Sequence, residues 1–268
     1  MRLNILPFVA LATAAASPEW VDISRKMGQQ EAAAAAAGVV NAQATITVPL
    51  YIHIVAASTK LSDGYATKAM VDAQVKAMNK AYNPQGVIFK LSGTDWTINK
   101  AWAVGSDEVG MGKKLRKGSY GALNLYFHKS LPDNILGFCY FPVYPKPQPG
   151  TNKFVIDGCK NVFWSMPGGS PGGKYNLGAT AVHEAGHWFG LLHTFQGSSC
   201  TGSGDFVADT PIQSTPSYGC QPKKDSCPKS AGLDNVRNYM DYSDDSCFTG
   251  FTAGQKQRLF SIWNGYRK

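Results

Sequence analysis

The sequence has 268 residues, of which 44% are hydrophobic, so it can bury the core of one large domain or two small ones. Its formal charge of +8 admits an anionic partner, and residues 113–117 form the densest basic segment. No aromatic ladder or nucleic-acid motif accompanies that charge, so we expect a solvated basic face and no nucleic-acid partner.

The first sixteen residues have the features of a secretory signal peptide. Met1 and Arg2 give a basic start, residues 5–12 form an apolar run, and Ala14–Ala16 offers a small-x-small cleavage site before Ser17. No other apolar run approaches the length that spans a bilayer. The sequence therefore predicts a secreted, extracellular protein without a membrane partner.

Residues 17–42 differ in composition from the rest of the chain. They contain six consecutive alanines at 32–37 and few large apolar residues. We interpret this segment as a short prosegment or a loosely packed N-terminal arm. Residues 43–268 are then expected to fold as one domain.

The first part of that domain has the pattern of a mixed α/β fold. Residues 46–55 are rich in β-branched residues, and Pro49 indicates an edge strand or a strand start. A helix follows, with apolar residues at helical spacing from Met70 to Tyr82, and Asn83-Pro84 ends it. Further strands are predicted at 87–91, 122–129, 137–142 and 154–159.

Two of the five histidines lie inside these strands. His53 and His128 have no other candidate ligands near them in the sequence, so we interpret both as ordinary strand residues. Near the C-terminus, Thr252 and Gln255 have the spacing of a capping box, which predicts the start of a final helix.

The other three histidines lie within eleven residues, 183–193, which read HEAGHWFGLLH. Residues 178–191 can form one helix, on which His183 and His187 share a side because they are four residues apart. Gly190 can adopt a left-handed conformation, end the helix and bring His193 back towards them. Three neutral imidazoles on one Zn²⁺ leave a fourth position open for water, as in catalytic zinc sites.

The glutamate beside the first histidine adds an acid–base group. Glu184 follows His183 directly, so its carboxylate points beside the metal rather than at it. A carboxylate there can take a proton from zinc-bound water and pass it to a leaving amine. The motif therefore predicts hydrolysis of amide bonds in protein or peptide substrates.

The eleven-residue motif resembles the zinc signature of the metzincin proteases. The segment 238–247, NYMDYSDDSC, looks like the methionine turn of that clan, with Met240 in the turn and Tyr242 two residues later. Together with HTF at 193–195 and DFVADTP at 205–211, the chain resembles the pappalysin family in its compact secreted form. The resemblance is clearest from about residue 120 to residue 262.

The resemblance implies a fold and a division of the chain. The fold is α+β, a metzincin-like zincin in which a twisted mixed sheet carries the zinc helix. An irregular, disulfide-stapled C-terminal part with the methionine turn and a last helix follows. The catalytic domain then covers 43–268, with an upper subdomain at 43–193 and a lower one at 194–268.

The resemblance also assigns site residues. Zinc is expected on His183, His187 and His193, with Glu184 as general base. Met240 then forms a hydrophobic base beneath the metal, and Tyr242 stabilises the tetrahedral intermediate or approaches the zinc.

A calcium site is a further expectation from the resemblance. Related pappalysins bind Ca²⁺ in the loop that holds Asp205, Asp209 and Thr210, and hard oxygen donors suit that ion. A solvated acidic loop without a metal is the alternative.

Six cysteines in an exported protein should pair, although their spacing alone leaves 15 connectivities open. The resemblance implies two crossed disulfides, Cys200–Cys227 and Cys220–Cys247, which leaves Cys139 to pair with Cys159. Because the first cysteine is Cys139, no prosegment cysteine is available to silence the zinc.

The leading hypothesis is thus a secreted, monomeric zinc endopeptidase. One alternative is a catalytically weak zinc-containing binding protein or effector, against which the intact Glu184 argues. Another is a protein that binds anionic surfaces through its basic charge. Asp244 and Asp245 are expected near the substrate pocket, where they would favour Lys or Arg after the scissile bond.

Overall fold

A computed structural model describes residues 16–37, 44–170 and 172–268. The predicted signal peptide, except for Ala16, lies outside these ranges, and so do residues 38–42 of the predicted arm. Within the described ranges, none of the helices combines the length and the apolar character that crossing a membrane requires.

Among the residues that the structure describes, five strands form one mixed sheet in the order β2-β1-β3-β5-β4. Their bounds are β1 Ile46–Ala56, β2 Val87–Ile98, β3 Leu123–His128, β4 Gly137–Cys139 and β5 Cys159–Val162. The first four strands of that order run parallel, whereas β4 pairs antiparallel with β5 and lies at the edge. The mixed α/β prediction is confirmed.

The described ranges contain six α-helices. They are α1 Pro18–Ala36, α2 Lys68–Tyr82, α3 Glu108–Leu115, α4 Asn152–Val155, α5 Ala179–Trp188 and α6 Ala253–Ile262. Helices α2 and α5 pack on one face of the sheet, where the alternate residues of β1 from Ile46 to Ile54 join the main hydrophobic core. On the opposite face, Met111 and Leu115 of α3 pack against Val55 and Tyr126.

The element prediction was wrong at residues 154–159. The chain there forms the short helix α4, and the strand begins only at Cys159, where pairing with Leu125 of β3 starts. Gly158 separates the two elements at φ +115°, so the chain turns sharply before it enters the sheet. The predicted strand at 137–142 is likewise shorter, because β4 pairs with β5 only as far as Cys139.

The predicted N-terminal arm contains a well-packed helix rather than a loose segment. Trp20 of α1 is only 3% exposed, and Glu31 forms an ion pair with the buried Arg258 of α6. The sequence signal was weak because the alanine run leaves α1 with few large side chains, and a single tryptophan supplies much of its apolar contact.

Three disulfides cross-link the chain in the pairs that the resemblance implied: Cys139–Cys159, Cys200–Cys227 and Cys220–Cys247. The first joins β4 to β5. The other two lie in residues 189–252, a stretch that the structure describes in full and that contains no α-helix and no strand of the sheet. The disulfides therefore supply part of the stabilisation in residues 189–252 that packed helices and strands supply in the preceding part of the chain.

This region should depend strongly on its cross-links. We expect replacement of both Cys220 and Cys247 by alanine to lower the free energy of unfolding by about 3–4 kcal/mol, because the bond closes a 27-residue separation. Urea unfolding followed by circular dichroism measures the change. The Cys200–Cys227 pair has the same sequence separation and is a second test, so a similar decrease in the free energy of unfolding is expected when both of its cysteines are replaced by alanine. Unchanged midpoints in both double variants would contradict the prediction.

Candidate active site

The start of helix α5 is held by side chains from two other parts of the chain. Gly178 precedes the helix at φ +88°, and its carbonyl accepts a hydrogen bond of 3.0 Å from Gln74 of α2. Asp245 accepts hydrogen bonds from the backbone amides of Leu177 (2.8 Å) and Ala179 (3.2 Å). Ala179 is the first residue of α5 and its amide has no partner within the helix, so Asp245 performs part of the task of an N-cap from a distant position.

The end of α5 reverses the chain as the sequence predicted. Gly190 adopts φ +79°, and its amide donates to the carbonyl of His187. Leu191 donates to the carbonyl of Gly186, which completes a glycine-terminated helix end. His193 consequently points back towards the helix. The helix itself ends at Trp188, slightly before the predicted end at residue 191.

Three imidazole nitrogens meet at one point. The Nε2 atoms of His183, His187 and His193 lie 3.1–3.2 Å from one another, and all three side chains are buried. In a tetrahedral zinc site with Zn–N distances of 2.0–2.1 Å, ligand nitrogens are roughly 3.3 Å apart. The three residues therefore fit one zinc ion. In the described part of the chain, these histidines are the group of three or more His, Cys, Asp or Glu side chains whose ligand atoms lie close enough to hold one metal ion.

Two backbone carbonyls fix which nitrogen faces the cluster as an acceptor. The Nδ1 atom of His183 donates to the carbonyl of Tyr239 (2.6 Å), and that of His187 donates to the carbonyl of Leu191 (2.8 Å). With its proton on Nδ1, each ring presents the Nε2 lone pair to the centre. Burial lowers the pKa of His183 to about 4 and of His187 to about 3, so both rings are neutral at pH 7.

Glu184 lies beside this cluster and is almost completely buried. Its Oε2 atom has no hydrogen-bond partner among the described residues. Burial raises its pKa well above the usual value. A Cβ atom on Gly137 of β4 would be 2.9 Å from the Cγ atom of Glu184, so the glycine leaves room for this carboxylate beside the edge strand. That role of Gly137 has no signal in the sequence, because the glycine lies far from the histidine motif.

The methionine turn lies directly beneath helix α5. Met240 is fully buried, and a Cβ atom on Gly186 would be 2.3 Å from its Sδ atom, so the turn approaches the helix where it has no side chain. The carbonyl of Met240 accepts a 3.2 Å hydrogen bond from Thr194, next to the third histidine. The Tyr242 hydroxyl oxygen lies 3.1 Å from the Nε2 atom of His193.

The surroundings of Tyr242 raise the pKa of its hydroxyl. Burial is the main cause that raises the pKa of Tyr242, and the Glu184 carboxylate adds to it. Its hydroxyl therefore keeps its proton at neutral pH and can donate a hydrogen bond. Tyr242 thus reaches the same centre as the three histidines.

Two residues that sequence reasoning missed hold the turn in place. Asn238 accepts a hydrogen bond from the Met240 amide and exchanges two more with Gln255, the third residue of helix α6. Gln255 also completes the predicted capping box with Thr252. Asp241 accepts hydrogen bonds from the amides of Tyr242 and Ser217. The spacing of Met240 and Tyr242 was visible in the sequence, but the hydrogen-bond partners of Asn238 and Asp241 include residues that are distant in the chain.

The residues of the expected calcium loop take different positions. Asp205 and Thr210 are buried next to each other, and burial raises the pKa of Asp205 to about 8. Asp209 is exposed and accepts a hydrogen bond of 2.9 Å from the Gly254 amide at the start of α6.

The structure also corrects one expectation about the substrate pocket. The carboxylate of Asp245 is buried against the start of α5, so it is not free to pair with a substrate cation. Asp244 remains 21% exposed and lies 3.8 Å from Lys174. The sequence alone could not distinguish the roles of Asp244 and Asp245, because these roles depend on which side chain faces the start of α5.

A protein-family model described as pregnancy-associated plasma protein-A, a peptidase family, matches residues 123–263. The chain belongs to this family. Known pappalysin-family relatives include two named extracellular metalloproteases. The Neurospora crassa protein is 51% identical to this chain, over 98% of this chain and 90% of its own sequence. The Sordaria macrospora protein is also 51% identical, over 95% of this chain and 88% of its own sequence.

A solved structure has the same fold. Mature mirolysin of Tannerella forsythia, in complex with a cleaved peptide, is 26% identical and superimposes with a TM-score of 0.69, covering 82% of this chain and 92% of its own. This pappalysin is therefore a metalloendopeptidase with a metzincin fold and a zinc-type histidine cluster.

The buried Asp245 makes the stability of the enzyme depend on pH. Burial is the main cause that raises its pKa to about 6, from 3.8. The folded state then holds this proton more tightly than the unfolded chain does. The group contributes stability below about pH 4, and that contribution is lost as the pH rises to about 6.

Asp245→Asn removes this titration and keeps an acceptor for both amides. We expect the stability of the variant relative to the parent to rise by roughly 2–3 kcal/mol between pH 4 and pH 6.5, and to stay constant above that. Chemical unfolding of the holoenzyme at several pH values measures it. Asp244→Asn changes the net charge equally and is the control. Parallel stability curves for Asp245→Asn and the parent would refute the prediction.

Proposed function

We propose that this pappalysin is a secreted zinc endopeptidase that cleaves peptide bonds in proteins, with Glu184 as its general base. The convergence of three buried Nε2 atoms within 3.1–3.2 Å carries this proposal. The relatives named extracellular metalloproteases support an extracellular location, and the cleaved peptide bound to mirolysin supports peptide substrates. We propose that residues 1–16 are the signal peptide and that 43–268 form a monomeric catalytic domain, divided after His193.

His183, His187 and His193 would hold the metal through Nε2. Zinc bound there supplies a Lewis acid that polarises the scissile carbonyl and lowers the pKa of water. Met240 closes the base of the site: its buried side chain packs against α5, and its carbonyl holds the segment that carries His193.

Glu184 performs the proton transfers in this proposal. It takes a proton from the attacking water and passes it to the amine that leaves. Its position supports this role, because the carboxylate is buried beside the three imidazoles and its Oε2 atom has no hydrogen-bond partner among the described residues. Gly137 keeps the space beside this carboxylate open.

Tyr242 would stabilise the developing negative charge. Its hydroxyl lies 3.1 Å from the His193 nitrogen, and a protonated hydroxyl beside the histidine cluster would donate a hydrogen bond to the oxyanion of the tetrahedral intermediate. Asp244 is the remaining candidate for selecting Lys or Arg after the scissile bond, because it is partly exposed and Asp245 is not.

The alternatives receive less support. A catalytically weak zinc-binding effector would not need an unpartnered carboxylate beside the metal ligands. An anionic-surface binder would use the basic segment at 113–117. Its three lysines are exposed, but the Arg116 side chain is only 2% exposed and pairs with Asp157, so not all of its charge is accessible. Calcium remains a prediction for Asp205, Asp209 and Thr210, supported by the neighbouring buried oxygens of Asp205 and Thr210.

Glu184→Gln tests the proposed base. We expect kcat on casein to fall by about 10²–10⁴-fold, because the amide accepts no proton, while the zinc content stays at one ion per chain. A chelator should abolish activity in the parent, and added zinc should restore it. Glu19→Gln, which removes an exposed carboxylate in the first turn of α1, is the control and should keep full activity. Full activity of Glu184→Gln would remove this residue as base, and inactivity of the parent would favour the binding protein.

Tyr242→Phe tests the proposed oxyanion donor. We expect kcat to fall by about 10²-fold with KM little changed, since the lost hydrogen bond forms mainly in the transition state. Steady-state kinetics on a fluorogenic peptide gives both constants. Tyr239→Phe is the matched control, because its ring packs against Phe248 and Phe251. A rise in KM alone would mean that Tyr242 only contacts the substrate.

A further inference from the structure

Helix α1 packs against the short segment that carries the third histidine. Trp20 forms a hydrophobic cluster with Leu192 and Ile262, and its Nε1 atom donates to the carbonyl of Gly190 at 3.4 Å. Gly190 and Leu192 lie between the end of α5 and His193. The N-terminal helix therefore contacts the turn that decides where His193 points.

The indole ring fills the space at this turn closely. A Cβ atom on Gly190 would be 2.6 Å from the Cζ2 atom of Trp20, and the positive φ of this glycine already excludes most side chains. The same ring stacks on Phe141 at 5.4 Å, and the Phe141 ring lies 5.2 Å from that of His187. One side chain of α1 thus supports the surroundings of two proposed ligands.

A second contact anchors the other end of α1. Arg258 of α6 is 1% exposed and binds both carboxylate oxygens of Glu31, at 2.8 and 3.0 Å. It also donates to the carbonyl of Phe206, against which Gly28 packs so closely that a Cβ atom would be 2.5 Å from the oxygen. Loss of the helix would remove the counter-ion of this guanidinium.

The start of α1 coincides with the predicted signal cleavage site. Ser17 Oγ accepts a hydrogen bond of 3.2 Å from the amide of Trp20, so cleavage before Ser17 leaves the helix with its cap. Among the described residues, the hydrogen bonds and ion pairs that join α1 to other elements go to Gly190 and Arg258. None of them goes to Glu184, the proposed base, so α1 contacts the surroundings of the metal site and not the proposed catalytic carboxylate.

We propose that α1 remains part of the active enzyme and that Trp20 is a positioning residue for the metal site. Its indole holds the turn at Gly190 to Leu192 and thereby keeps the imidazole of His193 in reach of the zinc. This inference rests on the proposed function, in which His193 binds zinc.

Trp20→Ala in the full chain tests the positioning role. We expect its zinc dissociation constant, measured by competition with a chromogenic chelator, to rise 10- to 100-fold, as for other residues that support metal ligands. Trp20→Phe should recover most of the affinity, and saturating zinc should restore most of the activity of Trp20→Ala. Met111→Ala, buried in a separate cluster under α3, is the control for lost stability and should bind zinc as the parent does.

Two further measurements keep the outcome decisive. Glu31→Gln weakens the other anchor and should shift zinc affinity in the same direction by a smaller factor, which covers the case that Trp20→Ala does not fold. Intact mass of the secreted, active enzyme should place its first residue at Ser17. Parent-like zinc affinity in both Trp20→Ala and Glu31→Gln, or an active enzyme that lacks residues 17–36, would overturn the inference. A parent that binds no zinc would instead refute the proposed function.

Discussion

The structure depends on bringing three imidazole lone pairs to one point. Nitrogen atoms 3.1–3.2 Å apart, each presenting a lone pair, repel one another unless a cation lies between them. Burial keeps His183 and His187 neutral, and the carbonyls of Tyr239 and Leu191 decide which nitrogen faces inward. Both carbonyls belong to segments outside the helix, so the backbone of these segments must be positioned as accurately as α5 itself.

Three distant parts of the chain supply that exactness. Asp245 binds the first amides of α5, the turn at Gly190 redirects the chain, and the carbonyl of Met240 holds Thr194 beside the third histidine. Asn238 then ties the methionine turn to the capping residue Gln255 of α6. These segments therefore support the histidine cluster through hydrogen bonds to the backbone rather than through a layered core.

Local patterns in the sequence predicted the elements whose signals are local. The helix at 68–82, the capping box at Thr252 and the turn at Gly190 were all visible, because each depends on a few neighbouring residues. The strand at 154–159 was wrong, since apolar residues there form a helical turn before the sheet begins. The docking of α1 and the burial of Asp245 could not be predicted, because both depend on partners far away in the chain.

The cross-links in the lower half have a consequence for an enzyme that digests proteins. Chains without regular structure are the preferred targets of proteolysis, and residues 189–252 form a long stretch of this kind. Cys200–Cys227 and Cys220–Cys247 overlap in sequence, so one cut between residues 200 and 247 leaves both fragments covalently attached. A molecule nicked once in this stretch by a neighbouring copy would therefore keep its parts together.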